Sequence, residues 1–231
     1  MATPALILTP AAPRRVPRWA AAAGLAFGLA FAGPGQADEP ATDASSAAGQ
    51  ITAWVLETAD NQGLPFLIVD KVNARVLAFD RDGQLLGAAP VLLGLAHGDV
   101  SPPGIGQRPL SAITPGERIT PAGRFLASTG ENLGGKGILW IDYESALSLH
   151  PVVTTRAADR RLQRLASAAA DDNRISYGCV NVPAEFYQDV VQRAFDGTTG
   201  IVYILPEQRS LAEVFFLTPG GEAPAAPEPA P

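Results

Sequence analysis

The sequence predicts a mainly β domain with a few helices, and three observations carry that expectation. Short apolar runs recur at Phe66–Val69, Arg75–Phe79 and Gln84–Leu93. Turn-forming stretches, Asp70-Lys71-Val72-Asn73 and Asp80-Arg81-Asp82-Gly83, separate them, and strands of about five residues joined this way form an antiparallel meander. Ile201–Leu205 is β-branched and aromatic and is stopped by Pro206, as a last strand should be. With 47% hydrophobic and 17% charged residues in 231, the chain can build a core of ordinary domain size.

Taken in order, the chain opens on an export-signal pattern. Arg14, Arg15 and Arg18 precede an uncharged run from Trp19 to Ala32, and Gly35-Gln36-Ala37 places small residues where a signal peptidase reads. The uncharged run is short for a membrane span, which needs about 20 residues, so cleavage after about Ala37 and a periplasmic location are expected. Residues 38–50, rich in Ala, Ser, Thr and Asp, read as a flexible linker, 51–218 as the folded domain, and 219–231, with Ala-Pro alternation, as a disordered tail. After the meander, Gly94–Thr120 holds five glycines and four prolines in 27 residues, which predicts an irregular loop. Arg124–Ser128 and Gly137–Tyr143 are strand candidates, and Leu147–Leu149 reads as the end of another. A helix is expected over Arg156–Ala170, with Leu162, Leu165 and Ala169 on one face. A second should start near Pro183, with Phe186, Val190 and Ala194 on one stripe.

Composition narrows the chemistry. The net charge of −6 becomes −9 once the leader, with three arginines and no acidic residue, is removed; nucleic acid is an unsuitable partner for such a chain. One cysteine, Cys179, excludes disulfide scaffolds, zinc fingers and iron–sulfur clusters. Cys179 lies in Ile175-Ser176-Tyr177-Gly178-Cys179-Val180-Asn181-Val182-Pro183, at a strand end or loop before the second helix. Gly178 permits unusual backbone angles and close approach, and the amides around Cys179 suit an oxyanion hole. A lone thiol is most often a small buried hydrophobe, but exported proteins tend to lose unpaired thiols, and this one has polar neighbours. It is the candidate nucleophile. Its base must be one of two histidines, His97 in the Gly/Pro loop or His150 at the strand end; spacing alone leaves both open.

Ser176-Tyr177-Gly178-Cys179-Val180-Asn181 resembles the Ser/Thr-His-Gly-Cys-hydrophobic-Asn/Arg signature of the L,D-transpeptidase catalytic domain family. Thr120-Pro121-Ala122-Gly123-Arg124-Phe125 is similar to the Thr-Pro-x-Gly-x-Phe hairpin ahead of that signature, and the strands from Phe66 to Gly94 are similar to the family's opening meander. The resemblance spans about Leu64–Leu205. It implies a β-sandwich with a few helices and a cell-wall enzyme needing no cofactor or metal. Cys179 would attack a peptidoglycan tetrapeptide stem, His150 would activate the thiol, Gly178 and Cys179 would supply oxyanion amides, and Ser176, Tyr177 and Asn181 would support the site. Release of D-alanine leaves a thioester. An amine acceptor then gives a 3→3 cross-link or attachment of an envelope protein; water gives carboxypeptidase activity. A carbapenem is the implied covalent inhibitor. A degenerate wall-binding member and a different cysteine hydrolase with His97 as base are the alternatives.

Two departures from the family pattern stand out. Tyr177 occupies the place of the signature's histidine, and 25 residues separate His150 from Ser176, more than is usual. The excess is the expected helix over Arg156–Ala170, an inserted lid before the cysteine. Its Arg156, Arg160, Arg161 and Arg164 are candidates to meet stem carboxylates, a solvated basic face being the plain alternative.

Overall fold

The strands Phe66–Asp70 (β1) and Arg75–Phe79 (β2) are almost unbroken apolar runs because both of their faces are covered. The structure, a computed structural model, describes residues 43–215; the expected leader and tail, and the linker up to residue 42, lie outside the described residues. One face of β1 and β2 presents Phe66, Ile68, Leu77 and Phe79, joined by Ile201 and Tyr203 of Thr199–Ile204 (β10). The other presents Leu67, Val69, Val76 and Ala78, joined by Val202 and Ile204. Alternate residues of one strand thus enter two separate clusters, as the two-residue period of a strand requires.

The remaining strands are Leu85–Pro90 (β3), Leu93–Gly94 (β4), Gly123–Glu131 (β5), Gly137–Asp142 (β6), Leu147–Pro151 (β7), Arg174–Ser176 (β8) and Val180–Val182 (β9). They form one eight-stranded mixed sheet, in the order β3-β2-β1-β10-β5-β6-β7-β9, and a two-stranded sheet, β4-β8. Most pairings are antiparallel; β1–β10, β7–β9 and β4–β8 are parallel. The mainly β expectation holds, with most strands in one large mixed sheet. Its strands deliver Leu67, Ala127, Leu139, Leu149 and Val180 to a single cluster, so the sheet curls around that core as twisted strands permit.

Two expectations are corrected. Residues 46–50 are not linker: Ser46 caps a helix, Ala47–Thr58 (α1), accepting the Gly49 N–H at 3.0 Å. Ala48, Ile51 and Val55 are fully buried against the outer face of the sheet, and each buried Ile or Val contributes roughly 1.5–3 kcal/mol. The small residues that read as linker are what close packing needs, since a Cβ at Gly49 would lie 2.1 Å from the Asp43 carbonyl oxygen.

The helix expected over Arg156–Ala170 is broken. Ala157–Asp159 is a 3₁₀ turn, Arg160 turns left-handed (φ 50°), Arg161–Leu165 (α2) is one α-helical turn and more, and Ala170–Asn173 is another 3₁₀ turn. Leu165 is buried but Leu162 is 61% exposed, so no apolar stripe holds a longer helix down. The helix after Pro183 is present as consecutive turns Ala184–Phe186, Tyr187–Val191 and Gln192–Ala194 (together α3), the middle one π-type, with the Gln192 N–H bonded to the Tyr187 carbonyl. Tyr187, Val191 and Phe195 form its fully buried line, and Phe186, Val190 and Ala194 pack beside it. Residues 95–120 contain three short 3₁₀ turns and no strand of the two sheets.

Candidate active site

Strand β8 delivers the chain to a three-residue turn, Tyr177-Gly178-Cys179, and β9 carries it away. Gly178 takes φ 131°, and a Cβ there would stand 2.8 Å from the Ile119 carbonyl oxygen, so only glycine fits this close crossing. Thr120, fully buried, fastens the crossing: its hydroxyl donates to the Gly178 carbonyl at 2.7 Å and accepts the Gly94 N–H at 2.8 Å. Ser176 ties the turn from within, donating to the Cys179 carbonyl at 2.6 Å and accepting the Gly178 N–H at 3.1 Å. The expected oxyanion role of Gly178 is therefore corrected. Its amide is engaged inside the turn, whereas the Cys179 N–H donates to no described residue.

The parallel pairing of β7 with β9 sets His150 opposite Asn181. On β7, Ser148 and His150 share a face, two residues apart. The Ser148 hydroxyl donates to Cys179 Sγ at 3.5 Å, and the thiol points to the Ala146 carbonyl at 3.5 Å. His150 Nδ1 lies 2.8 Å from the Pro151 carbonyl, which can only accept, so Nδ1 carries the proton and Nε2 is the basic nitrogen. Asn181 Nδ2 donates to Nε2 at 3.2 Å, while Asn181 Oδ1 accepts from Arg161 Nη1 at 2.8 Å. That guanidinium, with the Cys179 carbonyl 3.4 Å from Nδ2, sets which way the carboxamide faces.

Electrostatics tune the pair in opposite directions. Burial pushes the Cys179 thiol up, but hydrogen bonds from His150 and Ser148, with the histidine's charge, outweigh it and leave the thiol below its ordinary value. Burial pushes His150 down; its hydrogen bond and charge interaction with Cys179 and its contact with Pro151 outweigh that, and Arg161 works against them, leaving the imidazole raised. The result is a thiol that loses its proton more readily beside a base that takes it more readily.

Cys179, His150, Ser176, Tyr177 and Asn181 line one cleft of about 230 Å³, together with Arg156, Asp159 and Arg161 from the segment after β7. A narrow recess of about 20 Å³, lined by Ile119, Pro121, Ala146 and Gly178, opens on the other side of Cys179. Of the four arginines expected to meet substrate, Arg156 and Arg161 line the cleft; Arg156 is 79% exposed and Arg161 is turned to Asn181. Arg160 and Arg164 face away, to Gln163 and to the Asp159 and Asp172 carbonyls, because the left-handed residue at 160 turns the chain. Tyr177 lies under the Arg118 guanidinium, 3.9 Å from its ring centroid. The sequence reading missed Ser148, although its spacing from His150 was a usable signal. It also missed the inward reach of Arg161 to Asn181, for which the sequence carries no signal.

His97 stands elsewhere. Its Nδ1 is 2.8 Å from Glu207 Oε2, it is 55% exposed, and it does not line the cysteine cleft. Glu207 belongs to a buried ionic cluster with Lys71, Asp99 and Arg174. Among the described residues no group of three or more His, Cys, Asp or Glu could hold a metal ion.

No protein-family model matches the chain, and no curated protein sequence matches it. Solved structures do. An LD transpeptidase determined in complex with imipenem is 14% identical, with a TM-score of 0.35, over 61% of this chain and 58% of that one. The catalytic domain of an L,D-transpeptidase from E. faecium is 18% identical, with a TM-score of 0.33, over 61% of this chain and 95% of that domain. The chain thus spans less than two thirds of the first of these proteins.

Proposed function

We propose that the chain is an exported cysteine acyltransferase of the L,D-transpeptidase type, acting on peptidoglycan stem peptides in the periplasm. The observation that carries this reading is the Cys179–His150 pair lining one cleft, with thiol and imidazole shifted toward proton transfer. The signature residues Ser176, Gly178, Cys179 and Asn181 around that pair support it.

In the proposed cycle the Cys179 proton passes to His150 Nε2 as sulfur attacks the carbonyl of the stem's third residue. The oxyanion is met by the Cys179 N–H; one such donor is worth about 3–4 kcal/mol. The imidazolium then protonates the departing amine of D-alanine as the C–N bond breaks, leaving a thioester. An acceptor amine gives its proton to His150 and attacks the thioester, and the proton returns to sulfur as Cys179 is released. Water in place of the amine gives an L,D-carboxypeptidase by the same first half. Arg156, exposed at the rim, is the cation placed to meet a stem carboxylate.

The test is D-alanine release and cross-link formation on defined tetrapeptide muropeptides, followed by mass spectrometry. Wild type should turn over and Cys179→Ala should not; equal turnover by both would overturn the nucleophile. A carbapenem should add one covalent mass to wild type and none to Cys179→Ala. Cross-linked dimers against free tripeptide separate amine from water as acceptor.

A further inference from the structure

The inserted segment after β7 does more than border the cleft. At Arg160 the backbone adopts a left-handed conformation (φ 50°, ψ 38°), which costs a non-glycine residue about 1 kcal/mol or more. The turn sends the next side chain inward. Arg161, unlike Arg156, is mostly covered (17% exposed); its Nε is held by Asp159 Oδ2 at 3.2 Å and its Nη1 reaches Asn181 Oδ1 at 2.8 Å.

Asn181 has two ends, and only one can face His150. With Oδ1 engaged by a guanidinium, which has donors and no acceptor, Nδ2 is the end left for Nε2, 3.2 Å away, and it also reaches the Cys179 carbonyl at a longer 3.4 Å. That contact exists only while Nε2 keeps its lone pair; a protonated Nε2 would meet Nδ2 donor to donor. Were the amide free to turn over, Oδ1 would instead accept from a protonated Nε2 and favour the imidazolium.

We propose that Arg161 is a positioning residue: through Asn181 it holds the His150 imidazole in its neutral, proton-accepting form until Cys179 yields its proton. This rests on the Cys179–His150 reading above and adds to it a role for the inserted segment. The groups facing His150 are Cys179 and Tyr177 from the signature turn, Arg156, Asp159 and Arg161 from the insertion, and neutral Ser148 and Asn181 from β7 and β9. Arg161 opposes the charging of His150 by its own charge as well as through the amide. The glutamine variant Arg161→Gln separates these two contributions, since it retains a donor for Asn181 and loses the charge.

The experiment is an NMR titration of the two imidazoles in the whole protein, with His97 as internal control, alongside the pH profile of D-alanine release. In Arg161→Ala, His150 should titrate roughly one pH unit higher, and the acidic limb of kcat/KM should move with it, while His97 is unmoved. Arg161→Gln should fall between wild type and Arg161→Ala, and Asn181→Leu should shift His150 in the same direction. If Arg161→Ala does not fold, Arg161→Gln and Asn181→Leu carry the test. An unchanged His150 titration in folded variants overturns the proposal. So does a rise in KM with the titration unmoved, which would make Arg161 a substrate contact. The titration needs no substrate, so absence of turnover in wild type would count against the peptidoglycan reading alone.

Discussion

Two constellations of charged and polar side chains flank the signature turn, and they are built on opposite principles. On one side Lys71 is fully buried, with its ammonium on Asp99 at 2.7 Å and on the Thr120 carbonyl at 2.9 Å. Asp99 also accepts the Glu207, Gln208 and Arg209 N–H groups. Every charge there has a partner of opposite sign or a dipole, and the cluster ties the meander to the long loop and the C-terminal segment. On the other side, Cys179, His150 and Asn181 border a cleft, and the thiol stands 3.5 Å from both the Ser148 hydroxyl and the Ala146 carbonyl, beside His150. A closed network of opposite charges stabilises one conformation. An open one with an underused nucleophile and a basic nitrogen is suited to react. The two histidines belong one to each, His97 at the edge of the closed network and His150 in the open one.

The largest effect should come from breaking the open side. His150→Ala should lower turnover and the alkylation rate of Cys179 near neutral pH by about 10²–10⁴-fold, with a melting temperature close to wild type; the matching His97→Ala should not. Equal losses would erase the distinction between the histidines. Breaking the closed side should act on stability instead. Lys71→Ala leaves Asp99 without its buried cation and Glu207 with Arg174 alone, and should cost about 3–5 kcal/mol in urea unfolding.

Thr120 bridges the two regions, donating to Gly178 while its carbonyl holds Lys71. Thr120→Val should cost about 1–3 kcal/mol and also lower activity, because the turn carrying Cys179 loses its fastening. Loss of stability without loss of activity would show that the turn holds its shape unaided.

Acid should separate the regions further. Burial raises the Asp99 and Glu207 carboxyls, but Lys71 and backbone amides outweigh it for Asp99, and the Gly98 amide, His97, Lys71 and Arg174 for Glu207; both end below their ordinary values. Folded values below unfolded ones mean stability that is complete above the unfolded values, about 4, and lost as pH falls through the folded ones. Unfolding scans from pH 6 to 2 should show this loss, reduced in Lys71→Ala. The smallest effect should be that of His97→Gln on stability, under about 1 kcal/mol for so exposed a pair.

Much of this was legible in the sequence. The apolar runs from Phe66 to Phe79, the strand at 201–204 and the irregular loop after Gly94 follow from residue type and period. Cys179, His150, Ser176 and Asn181 were legible as a motif, and the structure brings all four together. Helix α1 was not, because Ser46, Ala48 and Gly49 have linker composition and reveal their packing only against the sheet. The segment over 156–170 was misread in the opposite direction: its helical spacing was real, but Leu162 is 61% exposed. Gly178 was expected to offer its amide, and Ser176, two residues away, takes it.

By itself the sequence determined which groups the protein has for chemistry, one thiol and two imidazoles, and where the chain must turn, since local residue type controls both. Only the tertiary structure decided which imidazole stands beside the thiol. That choice depends on the parallel register that sets His150 against Asn181, 31 residues apart in the chain, and on a backbone turn at Arg160 that aims Arg161 at the same amide. Such pairings are decided by how the whole sheet closes on its core, which no local stretch of residues encodes.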